Sequence, residues 1–223
     1  MRIAAWLAAG FALLVLGAAL RPLLIADNPA AAPVLGATEV GFAQDMTAHH
    51  QQALLMTQRL DPGANPAVRR LAQQLADTQR MEIGTMLGWL RLVNASPMPS
   101  RPMGWMPTEQ AVAHHHSTTS TAPANTMPGM ATMADLDALA AARGRDADIL
   151  FLQLMIRHHQ GGITMAQAAD ELLTGGPVKE TARAMVQAQG QEIGVMSVML
   201  TRLLPKDSPT SPNTGDQSPP EGR

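Results

Sequence analysis

The sequence predicts an all-α protein, a four-helix bundle made of two repeated helical hairpins. One observation is a phrase with a histidine pair that occurs twice, as D-M-T-A-H-H-Q-Q-A at residues 45–53 and L-M-I-R-H-H-Q-G-G at residues 154–162. Another is that apolar residues around both phrases recur at helical spacing, whereas no stretch between turn signals alternates as a strand does. An internal repeat of this kind favours two copies of one helical unit.

Turn signals divide each copy into two helices. The first copy is interrupted by D-P-G-A-N-P and the second by T-G-G-P, which end one helix and start the next. We expect four long helices, at residues 40–60, 68–92, 146–173 and 178–204. Hairpins 40–92 and 146–204 would each leave an apolar face in water if alone, so we expect them to pack together over residues 38–204.

The repeat preserves polar residues as well as apolar ones. Equivalent residues lie 109 or 110 positions apart, as in Phe42/Phe151, Met46/Met155, Gln51/Gln160, Met56/Met165 and Glu82/Glu192. Acidic Glu39 and Asp148 also align, but both fall near helix starts, where a carboxylate complements the helix dipole. We expect those two to be capping residues.

Composition limits the chemistry. The chain has 223 residues and a net charge of −2. This charge balance does not indicate binding to nucleic acid. It has no cysteine but seven histidines and sixteen methionines, which leaves imidazole, thioether and carboxylate as metal ligands. Four of the seven histidines form the two repeated pairs.

The repeated phrases predict a metal site inside the bundle. Met46 precedes His49 and His50 by three and four residues, so it shares a helix face with them, and Met155 has the same relation to its pair. Adjacent histidines point about 100° apart, so one ring faces the bundle axis and the other its flank, or the two serve different ions. The predicted ligands are His49, His50, His158, His159, Met46, Met155, Glu82 and Glu192.

Two interpretations of these residues stay open at this point. The histidines could instead hydrogen-bond across the bundle while the methionines form ordinary core. The glutamates could bind metal or support the histidines through hydrogen bonds. Folding each hairpin about its turn places Glu192 roughly opposite His158, and Gln79 and Glu82 within about a turn of His49.

The linker at residues 94–133 offers a second candidate site. It is rich in Pro, Ser, Thr and Gly, a composition without an evident core for its methionines to fill, and soft thioethers suit Cu(I) or Ag(I). The alternative is a solvated crossover. The secondary candidates are His114, His115, His116, Met103, Met106, Met127 and Met130. A short helix is expected at residues 135–142, after the linker.

The two ends of the chain lie outside the predicted bundle. Arg2 precedes an uncharged apolar run at residues 3–20, so residues 1–26 are interpreted as a cleaved signal peptide or a retained membrane anchor. Either would put the rest in the periplasm or outside the cell. Residues 205–223 have the composition of a disordered tail.

The pattern F-x-x-x-M-x-x-H-H-Q-x-x-x-x-x-M, followed by Q-x-x-E-I-x-x-M, resembles the bacterial family catalogued as domain of unknown function 305. The resemblance covers residues 38–204. It implies a ferritin-like, generally exported helical bundle, with copper binding or copper tolerance in some members. The positions matching its motif are His49, His50, Glu82, His158, His159 and Glu192. The first copy departs from the common form at Thr47 and Gln52, so equal metal occupancy of the two halves does not follow.

The favoured function is an exported protein that binds copper, or another divalent metal, for storage, buffering or hand-over. One alternative is a metal-free structural or interaction module at the membrane surface. A di-iron oxidoreductase is disfavoured because such bundles use Glu-x-x-His, which this chain lacks, and no catalytic residue is predicted. The expected partners are a metal ion and, if the N-terminal segment is uncleaved, the membrane, with homo-oligomerisation left open.

Export gives a direct test of orientation. Because positive charge tends to stay on the cytoplasmic side, Arg2 before the apolar run places residues beyond 40 outside the cytoplasm. Protease added to intact spheroplasts should therefore digest the bundle, and immunoblotting would detect its loss. Protection of the bundle until the membrane is lysed would contradict this orientation.

Overall fold

The structure, a computed structural model, describes residues 34–106 and 127–204 together with scattered positions between residues 6 and 20. The chain divides into two compact units, Met1–Val34 and Leu35–Arg223. The described positions between 6 and 20 are helical. Most of the predicted export segment and the whole predicted tail lie outside the described residues. Over the part of the chain that is described, no helix is both long and apolar enough to cross a membrane.

The second unit is helical wherever its regular structure is described, which confirms the all-α class. Its helices are α1 (Ala37–Arg59), α2 (Pro66–Leu92), α3 (Met133–Ala141), α4 (Gly144–Leu172) and α5 (Pro177–Leu203). The ends of the four long helices lie within three residues of the predicted ones. The short helix α3 also lies close to its predicted place.

Local chemistry explains where the second helix of each hairpin begins. The Asn65 side chain accepts a hydrogen bond from the Ala67 N–H at 2.8 Å, and Pro66 occupies the first turn, where its missing N–H has no cost. At the start of α5, Gly176 has a φ of 93°, a conformation that favours glycine, and Pro177 follows in the first turn. These residues fix the two tight hairpin turns.

The two aligned acidic residues have different roles. Glu39 accepts a hydrogen bond from the Gly36 N–H at 2.6 Å and so caps α1, as expected. Asp148 does not cap its own helix, and that expectation was wrong. It is buried and accepts the Asn65 N–H at 3.0 Å, because its position on α4 faces the turn of the other hairpin. Asp148 thereby fastens the first hairpin's turn to α4.

The two hairpins meet mainly through their first helices. Helix α1 packs on α2, α4 packs on α5, and α1 contacts α4, while α3 lies against both α1 and α4. Buried apolar side chains form two clusters, which we call the Phe42 cluster and the Phe151 cluster. Each cluster contains residues from all four long helices.

Repeat-equivalent residues lie in opposite clusters. The Phe42 cluster contains Met46, Met86 and Met165, whereas their equivalents Met155, Met196 and Met56 belong to the Phe151 cluster. The same exchange holds for the following pairs: Ala43/Leu152, Val68/Val178, Ala72/Ala182 and Leu75/Met185. The repeats are therefore related by a pseudo-twofold axis that passes between the clusters, as the repeat predicted.

The start of the linker packs on α1. Buried Asp45 accepts hydrogen bonds from the Met103 N–H at 2.8 Å and from the Trp105 ring N–H at 2.9 Å. The Trp105 ring meets Phe42 edge-on, with ring centroids 5.6 Å apart, and lies so close to Gly41 that a Cβ there would fall 2.8 Å from it. Helix α1 thus carries a docking place for residues 103–106.

Three linker methionines have a core to fill, contrary to the sequence argument. Met103 and Met127 pack against the Phe42 cluster, and Met106 is only 7% exposed. Composition does not reveal this packing, because it depends on the linker folding back onto the bundle. By contrast, Met98 and Met133 are exposed, at 75% and 65%.

A substitution of Phe151 tests how much the Phe151 cluster contributes to stability. Its ring is fully buried, so Phe151→Ala should lower the free energy of unfolding by about 3–5 kcal/mol through lost burial and a residual cavity. Met81→Ala on the 69% exposed Met81 is the control and should change it by less than about 0.5 kcal/mol. Urea unfolding measures both. Equal small losses would mean that the Phe151 cluster is not a packed core.

Candidate metal centre

A layer of polar side chains separates the two apolar clusters. Its histidines, His49, His50, His158 and His159, are each at most 1% exposed, and buried Gln79 and Gln189 lie on the facing helices. Because a buried polar group is costly unless it is hydrogen-bonded, the partners of each ring decide what the layer can do.

His49 and His158 form the centre of the layer. Their rings stack with centroids 3.8 Å apart and planes 30° from parallel, where α1 meets α4. Nε2 of His49 lies 3.0 Å from the carbonyl oxygen of Pro128, and Nε2 of His158 lies 3.0 Å from the carbonyl oxygen of His49. A carbonyl oxygen only accepts, so both Nε2 atoms carry the proton and donate.

His50 and His159 lie on the two outer sides of this stack. Nε2 of His50 is 2.7 Å from a Glu82 carboxylate oxygen, and Nε2 of His159 is 2.9 Å from one of Glu192. The two glutamate side chains are 21% and 22% exposed, so each connects a buried ring with the surface.

The predicted partner of Glu192 was therefore wrong by one residue. Glu192 bonds His159 rather than His158, and Glu82 bonds His50 rather than His49. The reason is helical geometry. The first histidine of each pair faces the other hairpin, and the second, turned about 100° around the helix, faces its own hairpin partner.

The Nδ1 atoms of all four rings are buried and have no hydrogen-bond partner among the described residues. When Nε2 carries the proton of a neutral imidazole, Nδ1 holds a free lone pair. An imidazole that donates one ring N–H to a carboxylate or carbonyl and offers the other nitrogen has the arrangement usual for metal-bound histidine. Each ring therefore has the hydrogen bonding of a metal-bound histidine, with Nδ1 as the atom that could bind the ion.

Thioethers adjoin this layer on both sides. Met46 and Met155 are fully buried, one in each apolar cluster, and each precedes its histidine pair by one helical turn. Over residues 34–106 and 127–204, no three His, Asp or Glu side chains converge as a ready group for a metal ion.

Burial keeps the central rings neutral. Loss of hydration lowers the pKa of His49 from 6.5 to about 3, and positive charge on nearby His50 would oppose its protonation further. Burial also lowers the pKa of His158 well below its usual value, with His49 as the next cause. Two neutral rings can stack face to face without charge repulsion, and both keep Nδ1 free of a proton near neutral pH.

The secondary candidates of the linker are only partly covered. His114, His115 and His116 lie outside the described residues. Met103, Met106, Met127 and Met130 are described and lie partly or fully buried in the linker's two docked ends. Their packing gives them a structural role, and metal binding by them stays a prediction.

Sequence reasoning missed three site residues. Pro128 acts through its backbone carbonyl, for which a sequence carries no signal. Gln52 and Gly161 hold the linker segment that brings this carbonyl to His49, as described below. Gln52 and Gly161 occupy equivalent positions of the repeat. The difference between these two residues was the sequence signal for the contact with the linker.

The family model for the domain of unknown function 305 (DUF305) matches residues 39–200, which include the whole histidine layer. The chain belongs to the DUF305 family. A search of curated proteins gave no match.

Solved structures of DUF305 proteins share the fold. A protein from Streptomyces coelicolor, described as secreted, is 37% identical over 74% of this chain and 92% of its own, with a TM-score of 0.64. A DUF305 fragment from Deinococcus radiodurans is 30% identical over 75% of this chain and 97% of its own, with a TM-score of 0.58.

The fold is also similar to that of CopM, which has been solved in Cu(II)-bound and Cu(I)-bound forms. The Cu(II)-bound form is 23% identical over 74% of this chain and 97% of its own, with a TM-score of 0.56. The Cu(I)-bound form is 24% identical with a TM-score of 0.53 and covers 74% of this chain and 96% of its own.

The low pKa of His49 makes a prediction for the metal-free protein. Between pH 6.5 and about 3 the unfolded chain binds a proton at His49 that the folded chain does not, so the contribution of His49 to the free energy of unfolding falls as pH falls through this window. One such proton corresponds to about 1.4 kcal/mol per pH unit. Chemical denaturation at a series of pH values would measure the slope.

His49→Gln is the matched variant for this test. Glutamine keeps an N–H donor for the Pro128 carbonyl but does not titrate, so the slope should become shallower. Carboxylate titrations are common to both proteins and cancel in the difference. Identical slopes for the two proteins would show that His49 titrates normally in the folded state.

Proposed function

We propose that this protein is an exported copper-binding protein that holds copper in its histidine layer for storage, buffering or hand-over. The observation that carries the proposal is the set of four buried Nδ1 atoms without partners, whose rings are each held through Nε2. An unpartnered buried acceptor is unfavourable in the absence of a ligand, and here it is repeated four times in one layer.

In this proposal the ring nitrogens and the carboxylates have different roles. The Nδ1 atoms are the proposed copper ligands, whereas Glu82 and Glu192 orient His50 and His159 by accepting from Nε2. Such a bond also makes the ring a stronger donor toward the metal. A carboxylate at the edge of a buried layer further offsets the positive charge that copper would bring.

The choice of copper rests on ligand type and on the related structures. Imidazole suits copper, and the thioethers of Met46 and Met155 next to the histidine pairs favour Cu(I). Thiolate ligands are excluded because the chain has no cysteine. The copper-bound forms of CopM show that a bundle of this fold accommodates both oxidation states of the ion.

The proposal also includes export and a role in binding rather than catalysis. Export is supported by Arg2 and the apolar run after it, and by a family member described as secreted. A binding role rather than an enzymatic one is proposed because the sequence lacks the Glu-x-x-His motif of di-iron bundles.

Copper titration of the purified full chain tests the proposal. We expect tight binding that is lost when His49, His50, His158 and His159 are all changed to glutamine, a change that retains an N–H donor but removes the imidazole lone pair. Competition with a chelator of known affinity gives the dissociation constant. Circular dichroism verifies that the variant is folded.

The matched control replaces the linker histidines. A variant with His114, His115 and His116 changed to alanine should retain the tight site. If this variant loses the copper while the four-glutamine variant retains it, the site lies in the linker and the histidine layer is structural. If the parent binds no copper, iron or other metal, the chain is a metal-free module.

A further inference from the structure

One short segment of the linker crosses the histidine layer. Residues 127–131, which we call the strap, run past the stacked pair and lead into α3, and Pro128 within them supplies the carbonyl oxygen bonded to His49. The Thr132 hydroxyl accepts the Asp135 N–H at 3.1 Å, and Asp135 in turn pairs with Arg157 of α4 at 2.6 Å. The end of the strap is therefore fixed to the bundle.

The strap touches α4 backbone to backbone. A Cβ on Gly161 would lie 2.0 Å from the Pro128 carbonyl oxygen, and a Cβ on Gly129 would lie 2.4 Å from the Arg157 carbonyl oxygen. Gly129 also has a φ of 75°, a conformation that other residues rarely adopt. No side chain larger than hydrogen fits at either position.

On α1 the strap is held by a side chain instead. The Gln52 amide accepts the Ala131 N–H at 2.6 Å and donates to the Ala131 carbonyl at 2.9 Å. Gln52 and Gly161 are equivalent positions of the repeat. The two copies thus contact one strap from opposite sides of the pseudo-twofold axis. Gln52 of the first copy makes two hydrogen bonds to it, and Gly161 of the second copy leaves space for it.

A single strap across this axis makes the central histidines unequal. His49 depends on the strap for the acceptor of its Nε2–H, whereas His158 uses the His49 carbonyl, which belongs to α1. If the strap is displaced, the Nε2–H of His49 is left without an acceptor in a buried place, and the proton can move to Nδ1.

We propose that the strap is a positioning element that holds His49 in the tautomer with a free Nδ1 lone pair. Gln52 keeps the strap in place through its hydrogen bonds, and Gly161 does so by leaving space for it. As a statement about copper, this rests on the proposed function. As a statement about the His49 ring, it concerns the metal-free protein and stands independently.

The metal-free full chain, labelled with ¹⁵N at histidine, provides the decisive readout. Long-range ¹H–¹⁵N spectra distinguish the two neutral tautomers of each ring. In the parent we expect Nε2–H at both His49 and His158. In Gly161→Ala and in Gln52→Ala we expect a mixture of tautomers at His49, with His158 unchanged because its acceptor lies within α1.

The two variants disturb the strap in different ways, so folding of either one suffices. Gly161→Ala pushes the strap away, while Gln52→Ala only removes two hydrogen bonds to it. Gly88→Ala is the matched control, since a Cβ on this helical glycine meets no atom within 4 Å, and both tautomers should remain as in the parent.

Two results would overturn the proposal. One is an unchanged His49 tautomer in both strap variants. The other is a joint change of His49 and His158, which would indicate general loosening of the layer rather than loss of one acceptor.

Copper titration of the same variants separates this proposal from the preceding one. We expect copper binding to weaken roughly 10- to 100-fold in the strap variants, the range usual for loss of a ligand's hydrogen-bond partner, and to stay unchanged in Gly88→Ala. A parent chain that binds no copper would end the proposed function, while the tautomer result would still decide the role of the strap.

Discussion

The contact between the His49 and His158 rings constrains the rest of the bundle. It places two polar rings at the centre of the interface between hairpins, where both are shielded from solvent. Such a pair is tolerated only if both rings are neutral and both N–H groups have acceptors. The Pro128 and His49 carbonyl oxygens meet that requirement, so an irregular segment of linker becomes part of the interior.

His50 and His159, which follow the central histidines in the sequence, connect the interior with the surface. Because they face their own hairpin partners, His50 and His159 are bonded to glutamates that reach the surface. Each pair thus combines a ring that joins the two hairpins with a ring that links the interior to solvent. Neither role is available to the other histidine, since the two point about 100° apart.

The sequence predicted the helices and the pairing of the hairpins because both depend on local signals and on the repeat. Turn residues such as Asn65 and Pro66 mark a helix start without tertiary information. The direction of each histidine was predicted less well, since Glu82 and Glu192 bond the second histidine of each pair. Helical periodicity alone does not decide which of two adjacent histidines faces the glutamate. That depends on which helices are in contact.

What the sequence could not show was the path of the linker. The acceptor of His49 is a backbone oxygen, and the anchors of the linker, Asp45 and Gln52, are polar residues on a helix that would be expected to face solvent. Their burial follows from the chain folding back on itself. The one visible sign was the loss of symmetry between Gln52 and Gly161 in an otherwise regular repeat.

The exchange of equivalent residues between the two apolar clusters has a consequence for folding. Since each cluster takes residues from both repeats, neither hairpin possesses a core of its own, although each looks complete as a sequence unit. Residues about 109 positions apart must meet before either core closes, and such distant contacts slow folding. The repeats are thus not two domains. They are two halves of one unit, so we expect them to fold and unfold together.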